Sequence, residues 1–86
     1  MTCRIDRFPT DKGLVLRISG RIAGEDLDVL RTALEDGSVV AVELDELELI
    51  DRDATKLLAI NEANGIELRH CPAYIREWIT RERDSS

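Results

Sequence analysis

Residues 38–44 read SVVAVEL, and this run constrains the fold more than any other stretch of the chain. Three valines and an alanine crowd together without the apolar–polar alternation of a strand that has one wet face. Such a run predicts a central strand covered on both sides. Its surroundings must then include flanking strands and a layer of helix. With 86 residues the chain has room for one domain with a modest core, so every apolar position counts. We read residues 1–80 as that domain and the charged end RERDSS, residues 81–86, as a tail expected to fray.

Upstream, LVLRISGRI alternates: Leu14, Leu16, Ile18 and Ile22 point one way, Arg17, Ser19 and Arg21 the other. CRIDRF before it is a weaker strand, and PTDKG between them, with Pro9, Asp11 and Gly13, reads as a turn. Together they predict a hairpin with one face on a core. GEDLDVLRTALEDG has helical spacing, with Leu27, Leu30 and Leu34 on one face beside Ala33. Glu25, Asp26 and Asp28 fall in its first turns, where the helix dipole favours negative charge. Gly37 is placed to close it.

LELIDRDATKLLAINEANG reads as the end of the central strand, a turn and a second helix. Ala54, Leu57, Leu58 and Asn61 share a face, Ile60 and Ala63 broaden it, and Gly65 supplies the stop. IELRH is a short strand with Ile66 and Leu68 inward. CPAYIREWITRER is a last helix with Pro72 in its first turn and Ile75, Trp78 and Ile79 as its apolar stripe. The order β-β-α-β-α-β-α predicts an α/β fold: a mixed β-sheet with helices mainly on one face and its later strands parallel through right-handed crossovers.

A formal net charge of −6 argues against nucleic acid and anionic membrane surfaces as partners. No apolar run approaches the roughly 20 residues of a membrane span. The start, MTCRIDRFPT, lacks the apolar core of a signal peptide, so the expected location is cytoplasmic. Cys3 and Cys71 then read most simply as buried thiols in a reducing compartment.

Signals for chemistry are weak. His70 adjoins Cys71, but a catalytic pair needs contact through space and a third group to orient the base. Metal-ligand spacing and a Lys-containing phosphate loop are both missing, so no metal and no cofactor is expected. Asp51 and Asp53 are paired carboxylates. Asp51 fits an N-cap, and Asp53 just inside the helix gains roughly 0.3–1 kcal/mol from the dipole, which by itself accounts for both. Tyr74 and Trp78, four apart on the last helix, read as the edge of the core, with a partner groove as the sharper alternative.

Taken in order, these pieces resemble a STAS domain, the fold of bacterial anti-sigma-factor antagonists. LRISGRI with Gly24 and the acidic helix is similar to the family's strand and first helix. VVAVELDELELID is similar to its central strand, and ANGIELRHCPAYIREWI to its next strand and helix. The resemblance covers about Arg4 to Ile79. Antagonists carry D-S-S-G-L after the central strand, the second serine accepting a phosphoryl group. Here the run is Asp51-Arg52-Asp53-Ala54-Thr55, so the acceptor-equivalent position is Asp53, which has no hydroxyl. The chain also lacks room for the last strand and helix of longer antagonists.

The resemblance implies a non-enzymatic interaction and regulatory module with no conventional phospho-switch. Its partner-binding residues would be Asp51, Arg52, Asp53 and Thr55, its partner an anti-sigma factor or serine kinase. Arg52 would pair with Asp53 or with a partner's carboxylate. The alternative is an accessory or scaffold subunit, in a transport assembly or as a homodimer. A nucleotide binder is a third reading, which no phosphate loop supports.

Overall fold

The computed structural model describes residues 3–84. Two antiparallel strands, β1 (Cys3–Thr10) and β2 (Gly13–Ile22), open the chain. A single 3-10 turn, Gly24–Asp26, leads into α1 (Leu27–Leu34). Then come β3 (Val39–Glu43), β4 (Leu47–Ile50), α2 (Arg52–Ala63), β5 (Glu67–Arg69) and α3 (Ala73–Asp84). The molecule is an α/β fold with a mixed sheet and three helices, as the sequence implies.

The order is β-β-α-β-β-α-β-α, and the added strand corrects the sequence reading. The run from Val39 to Ile50 is not one strand. It breaks at Leu44, whose carbonyl accepts a turn hydrogen bond from Leu47 N at 3.1 Å, with Asp45 and Glu46 between them. The two pieces share one side of β2: β3 lies parallel to Leu14–Arg17, β4 to Gly20–Ile22. Asp45 suits the turn, since Asp favours turns and is depleted in strands.

The sheet runs β1-β2-β3-β5, with β4 beside β2 beyond the end of β3. Residues pointing to one face form a single core with the helices: Leu16, Ile18, Ile22, Val42, Leu44, Leu47 and Ile50 against Leu30, Leu34, Leu58, Ile75 and Ile79. All three helices contribute to that cluster. The other face mixes charged residues with Phe8, Val15 and Ala41, and the Arg17 guanidinium lies 5.6 Å from the centre of the Phe8 ring. Asp6, Arg17, Glu43 and Arg69 lie in register across β1, β2, β3 and β5, and an Arg17 Nη–Glu43 contact of 3.4 Å joins two of them. Ala41, on that side of β3, is nevertheless fully buried, in register between Val15 and Glu67.

The hairpin turn is tighter than expected. Pro9 and Thr10 belong to β1, and only Asp11 and Lys12 cross between the strands. Pro9 is tolerated because β1 is an edge strand. Gly13 has φ +142°, and a Cβ there would overlap the Ser38 carbonyl oxygen and lie 2.8 Å from Val40 Cγ1. At the far end α3 continues to Asp84, into the stretch expected to fray; residues 85 and 86 lie outside the described residues. No helix among the described residues is long and apolar enough to cross a membrane.

Candidate functional site

The second helix starts where the sequence places it. Asp51 has extended backbone geometry, and its side chain accepts a hydrogen bond from Ala54 N at 2.9 Å, the N-cap arrangement. Its own N–H donates to Ile22 O at 3.2 Å, so the cap residue also continues the pairing of β4 with β2. At the other end Gly65 N donates to Glu62 O and Ile66 N to Asn61 O, both at 3.1 Å, with Gly65 at φ +106°. This is the Schellman closure that a glycine permits.

The cap fixes how the first turn of α2 is presented. Arg52 and Asp53 are exposed and Asp51 is half-buried. Thr55 is 2% exposed, and its hydroxyl donates to Asp51 O at 2.8 Å. The Thr55 hydroxyl is therefore spent inside the first turn. Arg52 forms its ion pair with Glu82 rather than with Asp53. Its Nε lies 3.6 Å from Glu82 Oε1, so the first turn of α2 is bridged to the last turn of α3.

The third helix completes the site. Tyr74, Trp78 and Glu82 recur along it at four-residue spacing. The Tyr74 hydroxyl donates to the Glu48 carbonyl in β4. Tyr74 and Trp78 meet edge to face, with ring centroids 5.8 Å apart. They are 41% and 38% exposed, at the edge of the core that Ile75 and Ile79 enter fully. Ile50, Asp51, Arg52, Thr55, Trp78 and Glu82 enclose a groove of about 350 Å³ at the mouth of α2. Only their spacing from Tyr74 signals Trp78 and Glu82 in the sequence. Their meeting with Arg52 depends on how α3 lies against α2.

A carboxylate clamp joins the same two helices further along. Arg76 donates to both Glu62 oxygens, at 3.0 and 2.7 Å, and Arg83 donates to one of them at 3.0 Å. The hydrogen bonds from Arg76 hold Glu62 below its ordinary pKa of 4.5, against the opposing effect of burial, and Arg83 adds to the pull. Cys71 and Cys3 are free thiols, and burial raises both pKa values. His70 sits exposed after β5 with φ +55°. A raised thiol pKa lowers the thiolate fraction that nucleophilic chemistry uses.

The first helix approaches this site through its leading turn. Asp26, 8% exposed, accepts from Ala23 N at 3.2 Å and fixes the chain between β2 and α1. A Cβ built on Gly24 would lie 3.9 Å from Asp51 Oδ2, so this turn borders the α2 cap. The starts of α1 and α2 thus share one end of the sheet. Among the described residues no group of three or more His, Cys, Asp and Glu side chains is placed to hold a metal ion. No protein-family model matches the chain, and no curated protein matches it.

Proposed function

We propose that the protein is a non-catalytic interaction module of STAS type that engages a protein partner through the start of α2. The observation that carries this reading is the exposure of Arg52 and Asp53 at a capped helix start, beside a groove walled by the half-exposed Trp78. Exposed aromatic and arginine side chains are the residue types that anchor interfaces. The fold supports the reading through its opening antiparallel pair, its parallel later strands and its single helical face. Asp53 stands where an antagonist carries its phosphoacceptor. A phosphoserine carries about −1.5 to −2 charges and three acceptor oxygens, whereas a carboxylate carries one charge and two oxygens. The site on this reading has a fixed charge in place of a switch, and its partner is an anti-sigma factor or a related kinase.

A second reading has an observation of its own. Leu49, Tyr74 and Trp78 leave apolar surface on the β4 side, which suits a scaffold subunit or a second copy.

The test is a tagged pull-down from native lysate with wild type, Asp53→Ser and Asp53→Arg, read by mass spectrometry. Recovery of a kinase-like ATPase, changed by serine and lost with arginine while circular dichroism stays native, is the expected result. Recovery that ignores position 53 removes the α2 start from the interface. Recovery of transporter subunits, or of the chain itself, moves the weight to the scaffold.

A further inference from the structure

We propose that the groove between α2 and α3 docks an acidic amphipathic helix supplied by a partner protein. The inference rests on reading the domain as an interaction module and adds the partner's chemistry. The groove, about 530 Å³, lies across the Arg52–Glu82 bridge from the mouth of α2. Ala59, Ile60 and Ala63 give it an apolar floor; Arg52, Lys56, Arg83 and Glu82 form its rim.

Three features select the occupant. The first is charge. The chain carries 18 acidic residues against 12 Lys and Arg, yet this rim has three cations and one anion. That anion, Glu82, is bridged to Arg52. Lys56 is exposed at the same rim. Arg52 already touches a carboxylate, but a guanidinium has five N–H donors and can take another; Arg83, held on Glu62, adds positive charge to the rim. The second feature is Ile60, which is 59% exposed on a helix whose other large aliphatic residues, Leu57 and Leu58, turn inward. The core does not use it, and it leaves an apolar contact at the centre of the cationic rim. The third is length. The groove is lined along α2 from Arg52 to Ala63, a wall of about 18 Å that matches roughly three turns of a bound helix, and is closed at one side by the last turn of α3 at Glu82 and Arg83.

Other occupants fit less well. A second copy placed by two-fold symmetry would bring one cationic rim against another. Nucleic acid has the right sign for the rim but offers its phosphate backbone no apolar stripe to cover Ala59, Ile60 and Ala63, which an amphipathic helix does.

The probe is a fluorescein-labelled helical peptide of about 14 residues with Leu at i, i+3, i+4 and i+7 spacing and Glu on its flanks. Its comparator carries Lys for Glu. The acidic peptide is expected to saturate in fluorescence anisotropy, to weaken with added salt and to bind at least about tenfold more tightly than the lysine peptide. Amide signals of Lys56, Ile60 and Ala63 should shift on its addition in two-dimensional NMR. Lys56→Glu and Ile60→Ser, both at exposed positions, should each weaken it about tenfold, whereas Val29→Ser on α1 should not. Equal binding of the two peptides, no saturation below about 1 mM, or shifts confined to α1 and the open sheet face would overturn the proposal. A pull-down that depends on Asp53 together with a silent groove would overturn this inference alone and leave the interaction module standing.

Discussion

Asp51 ties three things together at one residue. Its side chain holds the Ala54 N–H, its carbonyl accepts both the amide and the hydroxyl of Thr55, and its amide continues the β4–β2 pairing. Asp51→Ala should therefore cost about 0.5–2 kcal/mol in chemical denaturation, and Asp51→Asn much less, since an amide oxygen still caps. Gly13 is constrained differently. With φ +142° and the Ser38 carbonyl in the place a Cβ would take, Gly13→Ala should lower stability by at least about 2 kcal/mol, read as an earlier denaturation midpoint. The cap is legible in the sequence because capping is local: an Asp, a free first turn and an apolar run suffice. The burial of Thr55 and the exposure of Ile60 are not legible. Both depend on the rotation of α2 about its axis, which is set by Ala54, Leu58 and Ala59 packing into the core rather than by spacing alone.

Between elements, the α2–α3 pair is fastened at two places, by Arg52–Glu82 and by the clamp of Arg76 and Arg83 on Glu62. The Glu62 pKa is depressed in the fold, so its contribution is fully present above the unfolded value near 4.5 and is lost as pH falls through the folded value. Denaturation measured against pH should show wild type losing stability over that acidic range more steeply than Glu62→Gln. Near neutral pH Glu62→Gln should cost about 1–2 kcal/mol, a modest figure because Arg76 is 39% exposed and solvent screens the pair. The helices are well marked in the sequence, since their apolar spacing is strong. The break between β3 and β4 is not. VVAVELDELELI keeps enough apolar residues to read as one strand, and only the tertiary fit to β2 shows where the ladder stops and restarts.

Across the whole molecule, one face of the sheet is covered by helices and the other carries a charged ladder beside Phe8, Val15 and Ala41. The alternation in β2 announces that asymmetry, and the helical layer is its counterpart. The candidate site is only half legible. The α2 start is visible as a cluster of charge, whereas the α3 wall that turns it into a groove comes from long-range packing. The interrupted strand has a further consequence for how stability is spread. β4 is four residues long, anchored to β2 and to the Tyr74 hydroxyl, and it can open without unzipping β3. The break at Leu44–Leu47 should then act as a seam between a slow-exchanging half of the sheet and a quicker one. In native-state hydrogen exchange the amides of Leu49 and Ile50 should open at lower free energy than those of Ala41 and Val42, and equal protection across the break would show the strand to be mechanically continuous. If the seam opens first, the cap on α2 loosens with it, and the surface offered by Arg52 and Asp53 becomes a matter of timing as well as of shape.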